Sequence, residues 1–147
     1  MSLKQNVNDQ VKQAMKSGDK DRLKVLRMLS AAIKQREVDE RVELGDDDVL
    51  AVIEKMVKQR RESIEQYRAG GREELAEIEQ AEIDVLGDFL PEPLSEGEID
   101  ALIDQAIADT GASQMSDMGQ VMGRLKGPMQ GRADMKQVSA KVRARLG

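Results

Sequence analysis

The chain has 147 residues, of which 35% are charged and only two are aromatic, a balance that fits amphipathic helices and argues against a β-sandwich. Cys and His are both absent, which excludes disulfides, thiol nucleophiles, imidazole bases and His/Cys metal clusters. No apolar run approaches the roughly 18 residues needed to span a bilayer, and the first ten residues lack an apolar signal core, so a cytoplasmic protein is expected.

Four helices are predicted before residue 91. Ser2 and Gln5 form a capping box for the first helix, and Asp19 and Asp46 can cap the second and third. Glycines end the first and third helices. The predicted ranges are 2–17, 19–43, 46–69 and 72–90.

Pro91 and Pro93 cannot continue a helix, so a domain boundary is predicted there. Three further helices follow, and the second of them should end at Gly127-Pro128. Their predicted ranges are 95–110, 117–125 and 134–147.

The predicted architecture is all-α. A four-helix N-terminal unit, residues 1–90, is followed by a small three-helix C-terminal unit, residues 94–147. A unit of roughly 55 residues is near the lower limit for independent folding, so the second unit should be marginal alone or be helped by the first unit.

The charge of the chain is unevenly distributed. The formal net charge is −5, but residues 113–147 carry seven basic and two acidic side chains. An acidic chain with a concentrated basic end can still bind polyanions locally. The residues predicted to contact nucleic-acid phosphates are Arg124, Lys126, Arg132, Lys136 and Lys141. Arg143 and Arg145 either join them or only offset the dipole of the last helix.

Four glycines recur every four residues in the same segment: Gly119, Gly123, Gly127 and Gly131. Glycine in a helix costs about 1 kcal/mol relative to Ala. The repeat therefore indicates close approach of another helix or of a phosphate backbone at the first two positions. The last two flank Pro128 and are predicted to be turn residues.

A secondary basic strip is predicted on the second helix. It consists of Lys20, Lys24, Arg27 and Lys34, which share one helix face. This strip is either a second phosphate surface or an ordinary solvated face. Lys58, Arg60 and Arg61 are predicted to pair with glutamates of their own helix.

The sequence contains no recognisable catalytic constellation. Ser139 has no His partner, and the glycine spacing matches neither a P-loop nor a dinucleotide fingerprint. No cofactor and no metal are therefore expected. The basic region also lacks the aromatics on which RNA-binding modules stack bases, so contacts to phosphate and shape are expected.

Several segments together resemble a known family. The C-terminal motifs are Gly119-Gln120-Val121-Met122, Lys126-Gly127 and Gly131-Arg132-Ala133-Asp134, with Val138 and Val142. The supporting segments are Leu26-Arg27-Met28-Leu29, Ala32-Ile33-Lys34, 58–64 and 90–95. Nearly the whole chain resembles the YqeY family of small bacterial proteins, which share their C-terminal part with the tail of the B subunit of tRNA-dependent amidotransferases.

The resemblance implies an all-helical protein in two parts. In the amidotransferase, the corresponding tail helps to hold the tRNA body while other regions convert Glu-tRNA(Gln) or Asp-tRNA(Asn) to the amidated form. The family label carries this over as a carbon–nitrogen ligase with glutamine as amido-N-donor. Neither the carboxyl-activating cradle nor the glutaminase of such an enzyme is present here. Met135 stands where family members often have Gly.

Three functions are compatible with these features. The first is a tRNA-binding or tRNA-amidotransferase-related accessory protein without catalysis of its own, with tRNA as partner and no membrane. The second is a protein–protein adaptor for an amidotransferase or an aminoacyl-tRNA synthetase. The third is a glutamine-dependent amidotransferase.

Overall fold

The computed structural model describes residues 2–147, and the prediction of an all-α protein is confirmed. The described residues form seven α-helices, one 3₁₀ turn and no strand. None of these helices is long and apolar enough to cross a membrane. The helices are α1 (Leu3–Ser17), α2 (Lys20–Glu40), α3 (Asp46–Ala69), α4 (Glu73–Gly87), α5 (Glu96–Thr110), α6 (Met118–Met129) and α7 (Met135–Leu146), and the 3₁₀ turn is Met115–Asp117.

The chain divides into two compact units, one ending at Leu90 and the other beginning at Pro91. The first contains α1 to α4, with α3 and α4 as its most extensive packing pair. Its core is aliphatic apart from Phe89, and Leu26, Leu29, Ile53 and Leu86 have no exposed surface.

The junction between α2 and α3 differs from the prediction. Helix α2 ends at Glu40 instead of Glu43, because Arg41 adopts a left-handed conformation with φ 55°. The turn buries Leu44, whose N–H donates to the Glu37 carboxylate at 2.9 Å. The N-cap of α3 is Gly45 and not Asp46, whose carboxylate accepts the Leu3 N–H at 2.9 Å. Asp46 therefore connects α3 to the start of α1.

The second unit packs α5, α6 and α7 around a small apolar core. Ile103, Val121, Leu125, Met129 and Val142 are all essentially inaccessible to solvent. A capping box of Ser95 and Glu98 opens α5 where the sequence predicts a helix to begin. The side chain of Asp134 caps α7 through the Lys136 N–H at 3.0 Å.

The predicted break at Gly127-Pro128 is wrong, because α6 continues through both residues to Met129. Proline removes one backbone donor, but in the last turn only one helical hydrogen bond is lost. The residue before a proline normally leaves the helical region because its Cβ meets the proline ring, and Gly127 has no Cβ. The extra turn buries Met129 in the core. The chain then turns at Gly131, which has φ 72°.

Candidate nucleic-acid interface

The folded C-terminal unit is not basic as a whole. From Pro91 onwards it contains seven basic and eight acidic side chains, a formal net charge of −1. Residues 113–147 taken alone have an excess of positive charge because most acidic side chains of this unit belong to α5, which lies before residue 113. Local arrangement rather than total charge therefore decides whether this unit can bind a polyanion.

Two of its cations are held by the acids of α5. Lys141 contacts Glu96 and lies 3.0 Å from the Asp100 carboxylate. These hydrogen bonds, first to Glu96 and then to Asp100, raise the pKa of Lys141 above its ordinary value. Arg145 pairs with the same Asp100 at 3.6 Å and also with Asp104. This face of α7 is thus a bridge to α5, although Lys141 was predicted to contact phosphate.

Arg132 is also engaged within the unit. Its Nε donates to the Glu92 carbonyl at 2.9 Å, and its own carbonyl accepts the Leu94 N–H at 2.8 Å. These two bonds hold the segment before α5 against the turn before α7. Arg132 therefore positions these two segments relative to each other, and this contact uses only the Nε–H group of its guanidinium.

Four cations remain exposed and form no ion pair within residues 2–147. They are Arg124, Lys126, Lys136 and Arg143. Lys136 and Arg143 are seven residues apart and so share one face of α7. Arg124 and Lys126 are only two residues apart, which places them on different flanks of α6. The five predicted phosphate-binding residues therefore do not converge on one point.

Arg124 lines an open depression of about 580 Å³. The other lining residues are Asp109, Thr110, Gln120 and Gly123. Asp109 accepts a hydrogen bond from Gln105 at 2.7 Å and puts a carboxylate into the same depression. Arg124 thus faces a mixed environment rather than a cluster of cations.

The glycine repeat has an unexpected position. Gly119, Gly123 and Gly127 are exposed on α6, opposite the buried Val121 and Leu125. A Cβ added at any of the three would meet nothing within 4 Å. Packing against another helix of the C-terminal unit, one form of the close approach predicted from the repeat, is therefore excluded at these three positions. Gly127 is helical and not a turn residue, whereas Gly131 does form the predicted turn.

The predicted strip on α2 is exposed throughout. Its four residues, Lys20, Lys24, Arg27 and Lys34, form no ion pair within residues 2–147.

The pairing predicted for Arg60 is wrong. Arg60 is buried and bonds Glu82 of α4 at 3.2 Å, rather than a glutamate of its own helix.

The chain is similar to several known proteins. A sequence profile described as YqeY, Yqey-like protein, matches residues 4–146. Altered inheritance of mitochondria protein 41, mitochondrial, of Pyrenophora tritici-repentis is 34% identical over 140 residues, covering 93% of this chain and 77% of the relative. An uncharacterized protein of Schizosaccharomyces pombe is 38% identical over 82 residues, or 56% and 67% of the two chains. A protein 41 of Lachancea thermotolerans is 32% identical over 114 residues, or 76% and 61%.

The names of these relatives overturn the predicted cytoplasmic location. The proteins of Pyrenophora tritici-repentis and Lachancea thermotolerans, and another of Kluyveromyces lactis, are all named as mitochondrial. The prediction relied on the lack of an apolar signal core. That argument does not exclude an organelle, because mitochondrial transit peptides are amphipathic instead of apolar.

The YqeY profile matches residues 4–146, which include the glycine-rich C-terminal segment as well as the four N-terminal helices. This match confirms the family that the sequence motifs suggested. The chain belongs to the YqeY family.

Proposed function

We propose that this protein is a tRNA-binding accessory protein without catalysis of its own, and that α6 and α7 contact the RNA phosphate backbone. The observation that carries the proposal is the exposed glycine face of α6, made of Gly119, Gly123 and Gly127. Arg124 lies on one flank of this face and Lys126 on the other.

Nothing in the described residues of the C-terminal unit explains the glycine face. Each glycine costs the helix up to about 1 kcal/mol relative to Ala, and none makes room for a neighbouring group of the protein. A helix surface without Cβ atoms lets an external backbone approach closely. Cations on both flanks favour an anionic backbone, although the Asp109 carboxylate shares the depression lined by Gly123 and Arg124. The resemblance to the amidotransferase tail, which helps to hold the tRNA body, supports tRNA as this polyanion.

The remaining exposed cations can extend this surface. Lys136 and Arg143 share the outward face of α7, away from the side bound to α5. Arg132 and Lys141 stay in the proposal as marginal contacts, because their head groups are already hydrogen-bonded. The C-terminal unit has no aromatic residue, so the contacts are to phosphates and not to stacked bases.

The test uses substitutions that should change stability and binding in opposite directions. Gly119→Ala/Gly123→Ala should stabilise α6 and raise the melting temperature, and should also weaken tRNA binding several-fold by blocking close approach. Gly87→Ala is the matched control, because Gly87 is helical, exposed and has nothing within 4 Å of an added Cβ. It should raise stability and leave tRNA binding unchanged.

The contacts can be counted by titrating tRNA at several salt concentrations. Neutralising Arg124, Lys126 or Lys136 with Gln should each reduce the slope of log affinity against log salt by about 0.9, whereas Lys141→Gln should change it less. Binding that is unaffected by the double glycine variant and by these three neutralisations would refute the proposal.

One observation favours a protein–protein adaptor as a second candidate. The C-terminal unit is close to neutral, which weakens non-specific attraction to any polyanion. Co-purification of an amidotransferase or an aminoacyl-tRNA synthetase that survives nuclease treatment, together with no measurable tRNA affinity, would favour the adaptor.

A further inference from the structure

The strip on α2, defined by Lys20, Lys24, Arg27 and Lys34, differs from every other cation of that helix. Arg22 bonds Asp88 at 2.8 Å, and Arg36 bonds Glu40 at 2.5 Å. The strip residues have no such partner within residues 2–147, although all four are exposed. Pairing on α2 is therefore divided by face: cations off the strip are neutralised, and cations on it are not.

The absence of partners follows from the sequence around the strip. Lys20, Lys24 and Arg27 are one another's neighbours at i+4 and i+3, so they repel. Asp21 lies three residues before Lys24 but forms no ion pair with it. Glu37 follows Lys34 by three residues, but its carboxylate is occupied by Lys4 at 2.7 Å and by the Leu44 N–H. The fold thus gains nothing from these four charges.

The chemistry of the strip restricts the ligand. Among the cations on this face lies only Ala31, whereas the exposed apolar side chains nearby, Met28 and Val38, lie at the edge and beyond the end of the strip, so the strip offers charge along its length and apolar surface only at its margins. The apolar face of α2, including Leu26 and Leu29, is buried in the core and cannot enter a bilayer. Helix α2 carries no aromatic side chain on which unpaired bases could stack.

The geometry suits a rigid polyanion. The positions from Lys20 to Lys34 extend over about 21 Å of a straight helix face, at a rise of about 1.5 Å per residue. Charge alone supports binding where release of counterions from a phosphate backbone supplies the free energy. Double-helical RNA presents such a backbone in a fixed form.

We infer that the α2 strip is a contact for the phosphate backbone of double-helical RNA, separate from the surface of α6 and α7. The choice of RNA as the ligand rests on the proposed function. The strip itself rests on the exposure and the missing partners of its four residues.

The experiment compares two quadruple variants of the full chain. The strip variant carries Lys20→Gln, Lys24→Gln, Arg27→Gln and Lys34→Gln. The control carries Lys12→Gln, Lys16→Gln, Lys55→Gln and Lys58→Gln, which removes the same number of exposed charges from the same unit. Both are titrated with tRNA and with a short RNA duplex at several salt concentrations, after circular dichroism has shown that each is folded.

The strip variant should lose at least tenfold in affinity for both RNAs at low salt, and its salt slope should fall by about 3 to 4. The control should lose less than about threefold, through its change in net charge alone. Equal losses in the two variants, or no loss in the strip variant, would overturn the inference.

The double glycine variant separates this inference from the proposed function. If it weakens binding and the strip variant does not, the proposed function stands and the inference falls. If only the strip variant weakens binding, the inference stands and the α6 surface is wrong. If the wild-type chain binds neither RNA, both are rejected.

Discussion

Replacing Arg60 by Met tests the buried ion pair of the N-terminal unit. The Arg60 side chain is 9% exposed and that of Glu82 is 16% exposed. Arg60 donates to the Glu82 carboxylate from Nε at 3.3 Å and from Nη2 at 3.2 Å, and to the Met56 carbonyl at 3.1 Å. Arg60→Met leaves the carboxylate unpaired in the seam between α3 and α4, because Met keeps the stem but not the charge.

Breaking a buried pair from one side costs about 3–5 kcal/mol. Glu82 retains some access to water, so we expect a loss of about 2–3 kcal/mol in the free energy of unfolding of the N-terminal unit. The double variant Arg60→Met/Glu82→Leu removes both charges and should return to within about 1 kcal/mol of the wild type. Most of the loss in the free energy of unfolding would then come from the unpaired Glu82 carboxylate and not from the loss of the hydrogen bonds themselves.

Urea unfolding followed by tyrosine fluorescence measures this loss in the relevant unit alone. The chain has no Trp, and its single Tyr is Tyr67, near the end of α3. The signal therefore reports on the N-terminal unit, whereas circular dichroism reports on both. A loss below about 1 kcal/mol for Arg60→Met, or a double variant less stable than the single one, would refute the reasoning.

Three further predictions concern charge, backbone and pH. Arg27→Gln should stabilise the N-terminal unit by about 0.2–0.5 kcal/mol, because it removes repulsion from Lys24. Arg36→Gln should destabilise the unit by a similar amount, because it removes the pair with Glu40. Urea unfolding followed by tyrosine fluorescence measures both changes, and the same sign for the two variants would contradict this prediction. Gly131→Ala should cost the C-terminal unit about 1 kcal/mol in a calorimetric scan because Gly131 has φ 72°, and an unchanged midpoint would show that the turn relaxes. The backbone hydrogen bond from Ser95 lowers the pKa of Glu98, so its carboxylate stabilises α5 above the ordinary pKa of 4.5, and this contribution disappears as pH falls through the lowered value. Melting curves of Glu98→Gln should therefore depend less on pH in that acidic range than those of the wild type, and identical curves would count against the capping box.

Local chemistry made the helices predictable. Ser2 and Ser95 satisfy free N–H groups within three residues of themselves, so their capping boxes depend on nothing distant. The prediction at Gly127-Pro128 was wrong because burial of Met129 favours one more helical turn. The prediction treated Gly127 as a second residue that ends the helix, although the absence of its Cβ is what permits the helix to continue through Pro128.

The pairing of charges was less predictable because it depends on tertiary contacts. Lys141 and Glu96 are 45 residues apart, and Arg60 and Glu82 are 22 apart. Helical spacing gives each cation a local alternative, so a sequence pattern alone cannot choose between them. The strip on α2 was recognisable as a stripe, but its lack of partners became evident only when Glu37 was found bound to Lys4.

The charge balance of the folded units determines what the salt slope of RNA binding can reveal. The chain is acidic overall and its C-terminal unit is near neutrality, so long-range attraction does not favour RNA. Affinity must then come from local contacts, each contributing about 0.9 to the slope. The four free cations of α6 and α7, or the four of the α2 strip, would give a slope of about 3.6, and both sets together would give about 7. A measured slope of roughly 7 is expected if both surfaces contact the RNA, and about half that value is expected if only one does. The strip variant then identifies which surface is involved, because it lowers the slope only if the strip takes part, and the control variant shows whether other exposed cations contribute.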